Sequence, residues 1–423
     1  MRNPYPHQNT YERRSVQRRQ RAARDPGGSK MENQTQSKRP MKKEIGVENF
    51  VFLTCFLAFF AVFMVIMGPT NALNTIMNTA YSLLMDTVFY LMAICVLMGA
   101  ISALFSEFGV ISLANRLLDP LMVPLYGLPG AASVGVVTTF MSDNPAILSL
   151  ADDTYFKSLF KKYQFPALTN LGTSFGMGLI VCTYMLSLGG SVGQSFGLAV
   201  AVGLMGAVVG SIVSTRIMLI FTSKHYGREA DMVPDMPAGK KNGDMRPIRD
   251  GSGFSRFMGA LLDGGLTGVN MGFAIIPGVL VICTIVMMLT NGASADGTYT
   301  GAAYEGIALL PALADKVSFI LEPLFGFSSP ECVGVPITAL GAAGAATSIA
   351  AKLVSQGLAG GNDIAVFTSM CMCWSGYLST HVSMMNSLKC NEMISKALIS
   401  HTIGGLCAGI SAHWIYVLLS MVV

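Results

Sequence analysis

Polar side chains are scarce in this sequence, and the few that could bind or move something sit at breaks inside apolar runs. Met141-Ser142-Asp143-Asn144-Pro145 sets a carboxylate and an amide beside a proline, and Ser328-Ser329-Pro330-Glu331 sets two hydroxyls and a carboxylate around another. Asn170, Thr173 and Ser174 fall at the spacing that shares one helix face. Trp374 and Ser375 open a second polar stretch that continues through His381 to Asn386. The chemistry open to this set is recognition. Carboxylates, amides and hydroxyls can hold a cation or a hydroxylated solute, an indole can stack on a flat ring, and an imidazole can take up a proton.

Each group also has a structural use. Asp143 and Asn144 either contact solute or coupling ion or cap a returning helix. Ser329 and Pro330 fit the cap and first position of a helix that carries Glu331. Asn170, Thr173 and Ser174 suit a ligand or helix–helix hydrogen bonds, and Trp374 suits stacking or packing. No nucleophile–base arrangement appears, and Gly127-Leu128-Pro129-Gly130 lacks the Lys-Ser/Thr ending of a phosphate-binding loop. Cys371-Met372-Cys373 is tighter than the CxxC spacing of redox or zinc sites. The expectation is a protein that is not an enzyme and has no resident cofactor.

The elements that must position these groups occur twice. Pro124-Leu125-Tyr126-Gly127 with Val134-Gly135 returns as Pro323-Leu324-Phe325-Gly326 with Val333-Gly334, an offset of 199 residues. Asp143 plus this offset falls on the glycine-rich turn Gly341–Gly344, and Thr169 falls on Thr368. Both copies, near 127–165 and 326–353, read as helix–break–helix hairpins dipping part-way into the protein. Broken helices leave backbone groups that lipid cannot satisfy, so the breaks must face protein or a watery cavity.

With 52% hydrophobic and only 12% charged residues, the chain is too apolar for an ordinary soluble domain. Apolar runs near 51–68, 84–105, 171–188, 196–221, 271–290 and 398–423 are long enough, or nearly so, to cross a bilayer. We expect an all-α polytopic membrane protein with about seven to eight transmembrane helices. Twelve Lys and Arg residues fall within residues 1–49, a tail that reads as disordered and cytoplasmic, with no nucleic acid expected as partner. The first membrane half then covers 50–221, a basic linker with seven Lys and Arg covers 222–256, and the second half covers 257–423. Alternating the spans from a cytoplasmic N terminus puts the two motif copies on opposite faces, as inverted repeats.

The segments "PLYGLPGAASVG" and "PLFGFSSPECVG", within Pro124–Gly178 and Pro323–Asn386, resemble the gate module of the nucleoside-recognition domain family. That family includes YjiH-like and sporulation membrane proteins and is related to ferrous-iron permease gates and concentrative nucleoside transporters. The resemblance covers roughly residues 80–400. It implies inverted repeats, each with an interfacial helix, a re-entrant hairpin and a partly unwound helix. It also implies solute contacts from Asp143, Asn144, Asn170, Ser328, Ser329 and Glu331, and a homo-oligomer. The nucleoside transporters' Gln-Thr and Glu signature is not reproduced. Together these readings predict an ion-coupled secondary transporter of a small polar solute, nucleoside-like in class, coupled to Na+ or H+ and surrounded by lipid in the cell inner membrane. A membrane scaffold acting with a partner, or a passive channel, is the alternative.

Overall fold

The computed structural model describes residues 44–142, 154–233, 248–294 and 296–421. Asp143, Asn144 and most of the basic tail lie outside the described residues. The chain divides after Phe60 into two units. Helix α1, Val47–Met67, is apolar beyond its first turn, which carries Glu48 and Asn49, and ends at Gly68-Pro69, where Gly68 takes a positive φ of 83°.

The larger unit is built from pairs of helices that run antiparallel. Helix α2 (Pro69–Glu107, with a wide turn at Leu83–Val88) crosses a second long helix (Gly253–Thr290) of the other half. Gly99 approaches Gly264 and Gly268, Gly268 approaches Val96, and Gly272 approaches Met92, so numbers fall on one helix as they rise on the other. In lipid the apolar effect does not drive helices together, and close backbone approach at small residues does. The last helices of the two halves, Gly197–Tyr226 and Ile394–Ser420, cross in the same way. A Cβ on Gly210 would lie 2.6 Å from both the Ala408 Cβ and the Gly404 carbonyl, and one on Gly206 would lie 2.8 Å from the Ala412 Cβ.

Polar contacts sort the connections onto two faces. On one, the Asn71 and Asn78 amides donate to the Tyr299 and Gly301 carbonyls, each at 2.8 Å. These bonds explain why α2 begins at Pro69 rather than near the expected residue 84: its first turns are polar and dock on the 291–308 loop. Glu305 pins that loop, accepting from Ser294 and Thr300 hydroxyls and from the Thr300 and Gly301 N–H groups. On the other face, Arg256 Nε lies 2.7 Å from Glu107, the Lys162 N–H donates to Ala230, and Tyr226 donates to Glu392.

After α2 the chain runs along the second face as α3 (Val110–Leu121), whose Leu113 and Leu117 are exposed. It turns at Gly127 and enters as α4 (Ala132–Met141), then resumes at α5 (Thr154–Ser158). A broken helix follows, α6 (Ala167–Thr173) and α7 (Gly178–Ser191), and then α8, Gly197–Tyr226. The second half repeats the order from the first face. After α9 (Gly253–Thr290) come the short helices α10 (Leu309–Lys316) and α11 (Ser318–Phe325). The hairpin follows as α12 (Gly334–Ala339) and α13 (Ala343–Ser355), then the broken helix α14 (Gly361–Cys373) and α15 (Tyr377–Ser387), and α16, Ile394–Ser420.

The duplicated motif has a local cause. Gly127 and Gly326 both take positive φ, 72° and 58°, which ends the surface helix and turns the chain inward. An amide then holds each turn: Gln164 Nε2 donates to the Gly127 carbonyl at 3.1 Å, and Asn362 Nδ2 to that of Gly326 at 2.7 Å. Among the described residues six helices are long and apolar enough to cross a membrane, fewer than expected. α14–α15, the repeat equivalent of α6–α7, is too interrupted to count among them.

Candidate functional site

Two helix breaks meet at the centre of the unit. α6 gives way to α7 at Met177, which takes the left-handed conformation at φ 54°, and α14 gives way to α15 at Gly376, φ 66°. These positions are 199 apart. The inbound hairpin helices press on the breaks: Gly178 packs on the Phe140 ring, and the Gly376 N–H donates to the Ala339 carbonyl at 3.0 Å. Phe140 and Ala339 are again 199 apart. Finally, Cys373 Sγ lies 3.7 Å from the Ser174 carbonyl, and these residues are themselves 199 apart. A residue can touch its own repeat equivalent only where the two-fold relation between repeats passes, so the internal axis runs through the two breaks.

Five of the sequence-predicted residues converge there. Asn170, Thr173 and Ser174 have no exposed surface, and Trp374 and Ser375 are buried at 6% exposure. Thr173 and Ser174 return their hydroxyls to the carbonyls of Thr169 and Asn170, each at 2.8 Å. Asn170 Nδ2 donates to Ser214 Oγ and to the Ala397 carbonyl, each at 3.0 Å, tying α6 to α8 and α16. Trp374 stacks on Tyr377, ring centroids 6.3 Å apart. Buried polar atoms left without a partner include Thr169 Oγ1, Asn170 Oδ1, Thr215 Oγ1 and Trp374 Nε1. Native interiors pair nearly all such atoms, so this group of open donors and acceptors is the candidate place for a solute to bind.

Ser328, Ser329 and Glu331 do not join that centre. The Ser328 N–H and O–H both donate to the buried Asp363 carboxylate, at 2.9 and 2.5 Å, and Asp363 sits at the start of α14. Ten residues of helix separate Asp363 from Cys373, about 15 Å. Ser329 holds the expected cap position ahead of Pro330, but its hydroxyl lies 3.5 Å from Cys332 Sγ instead of capping a backbone N–H. With Asp315, Ser318 and Glu322, the two serines line a surface cavity of about 120 Å³. Glu331 is half-buried beside it.

Sequence reasoning passed over Ser214, His401 and Asp363. His401 and Ser214 sit in long apolar helices with no local signal, and only their crossing makes them neighbours. Asp363 had one: an acid three residues after a glycine, ahead of an apolar run, is the pattern of a helix start.

No family model matches the chain, and no curated protein matches it. Among solved structures, it is similar to the nucleoside transporter CNTnw in an outward-facing state, with 12% identity over 86% of this chain and 85% of that one and a TM-score of 0.45. The inward-facing substrate-bound state of CNTnw gives 12% identity over 86% and 84%, TM-score 0.45. An intermediate state gives 15% identity over 76% and 74%, TM-score 0.45.

Proposed function

We propose that this protein is an ion-coupled secondary transporter that carries a small polar solute by alternating access between its two repeats. The observation that carries this reading is the meeting of the helix breaks on the internal two-fold axis, with hairpins pressing on them from opposite faces. Equivalent contacts that close the centre toward one face have counterparts that close it toward the other, so exchanging the two conformations of the repeats exchanges access. The core supplies amide and hydroxyl groups beside an indole, a set suited to a flat, hydroxylated solute of nucleoside class. Asn170, Thr173, Ser174, Trp374 and Ser375 surround it, and Asp143 and Asn144 follow the inbound helix of the first hairpin. Na+ or H+ supplies the driving force.

The face bearing Lys161, Lys162, Arg249, Arg256 and Lys396 is the cytoplasmic one by the basic-residue rule, with the N terminus on that side. Leu97 and Ile101 of α2 and Leu262, Leu266 and Phe273 of α9 are exposed and face lipid or a second copy in a homo-oligomer. The test is counterflow into liposomes preloaded with unlabelled nucleosides, nucleobases, sugars or amino acids. Uptake of at least one labelled member is expected, reduced about tenfold or more by Asn170→Ala. Absence of counterflow for every member, with correctly folded protein, would overturn the proposal.

A further inference from the structure

The transport reading leaves one buried group without a task. His381, on α15 just beyond the Gly376 break, has no exposed surface, and its ring reaches only the Tyr377 carbonyl one turn back, without the alignment of a regular hydrogen bond. A neutral imidazole holds one N–H and one lone pair; a carbonyl can only accept, so the nitrogen facing Tyr377 carries the proton and the buried lone pair of the other has no donor. Its neighbour is a second imidazole, His401 of α16, with ring centroids 4.5 Å apart.

His401, by contrast, is satisfied. Its Nε2 faces the Cys373 carbonyl, which can only accept, so Nε2 carries the proton. Nδ1 then accepts from the Ser214 hydroxyl at 2.9 Å, and Ser214 Oγ accepts from Asn170 Nδ2 at 3.0 Å. The chain runs donor to acceptor from the first broken helix, across α8 and α16, to the carbonyl just ahead of the second break. Beside it, His381 is the imidazole that keeps a ring-nitrogen lone pair open.

The surroundings hold no competing charge. Tyr377 lies 5.6 Å from His381 and 5.1 Å from His401, ring to ring, and its hydroxyl is taken up by Thr402 at 2.6 Å. Asn170 and Thr173 of α6, Ser214 of α8 and Cys373 of α14 are the other groups linked to this cluster. Among the described residues no Asp, Glu, Lys or Arg side chain pairs with either imidazole. Two imidazolium ions this close in a water-poor core would repel strongly, so the pair holds one added proton at a time.

We infer that His381, backed by His401, binds the proton that couples transport, a proposal that rests on the transport reading of the same core. In the state open to one face, water delivers a proton to a ring-nitrogen lone pair of His381, forming an N–H bond. Its arrival breaks an O–H bond of hydronium and leaves water; in the state open to the other face the N–H bond breaks and water takes the proton back as hydronium. His381 rides the half-helix that starts at the break, whereas His401 belongs to the helix locked against α8 by glycines. A rearrangement at the break therefore alters the pairing of the rings.

Two measurements separate failure of this proposal from failure of the transport reading. The first follows the imidazole nitrogens of 15N-histidine-labelled protein in lipid by NMR from neutral to acidic pH, with His381→Gln and His401→Gln for assignment. One proton taken up by the pair is expected; two imidazoles that stay neutral throughout, or that both become charged together, would overturn the proposal whether or not a solute is known. The second applies to a solute found by counterflow. A gradient of one pH unit should concentrate it about tenfold for one-to-one coupling, and His381→Gln should abolish that accumulation while leaving counterflow in place. Counterflow with accumulation driven by a Na+ gradient alone would sink the proton site and leave the transporter standing.

Discussion

Asp363→Ala should destabilise the second repeat by about 3–5 kcal/mol, because the carboxylate is the common acceptor that fastens the hairpin to the broken helix. Asp363 has no exposed surface and receives three donors: Ser328 N–H at 2.9 Å, Ser328 O–H at 2.5 Å and Gly360 N–H at 2.8 Å. A donor stranded away from water costs about 1–3 kcal/mol. Ser328 is exposed and Gly360 half-buried, so water recovers much of that, and the sum settles at the low end of its range. Ser328→Ala removes one donor and strands nothing charged, so about 1 kcal/mol is expected. Asp363→Asn keeps one accepting oxygen and should fall between. Equilibrium unfolding in mixed detergent micelles reads all three, and the double variant should cost less than the sum of the singles because the residues share a bond. Equal stability of Asp363→Ala and wild type, with solute binding lost instead, would refute the latch and return Ser328 to the solute.

The remaining expectations follow from single contacts. Gly210→Val should cost about 1–3 kcal/mol by overpacking the α8–α16 crossing; Gly190→Ala, where a Cβ meets nothing within 4 Å, should be neutral in the same unfolding assay. At Glu305, burial pushes the carboxyl up, but hydrogen bonds from Ser294, Thr300 and Gly301 outweigh it and hold it below the ordinary 4.5. The loop should therefore keep this anchor above that value and lose it as the pH falls through the lower, folded-state one; hydrogen exchange across 298–306 should rise in acid, and Glu305→Gln should show raised exchange already at neutral pH. Thr298→Cys and Arg228→Cys should react with an impermeant thiol reagent from opposite sides of sealed vesicles. Labelling of both from one side would break the inverted arrangement.

The two copies were legible because a turn that must take positive φ selects glycine, and Gly127 and Gly326 obey that rule in both halves. The second break was half-legible for the same reason at Gly376. The first was not, since its left-handed residue is Met177, a type that nothing local recommends; the repeat's packing imposes there the backbone that Gly376 adopts more cheaply. Ser328 and Ser329 were singled out beside Asn170 as equals, because polarity near a proline looks alike from either end of a helix. The length of α14 places them about 15 Å from the break.

What the sequence by itself determined is the membrane class, the duplication and the positions where apolar segments are interrupted, because hydropathy and backbone freedom are local properties of a few adjacent residues. Tertiary structure alone decided that Ser174 meets Cys373, that Asn170 reaches His401 through Ser214, and that His381 is left with an open ring nitrogen. These contacts join residues as many as 199 positions apart, brought together where glycines let helix backbones close, and no local pattern records which side chain will face which across such a crossing.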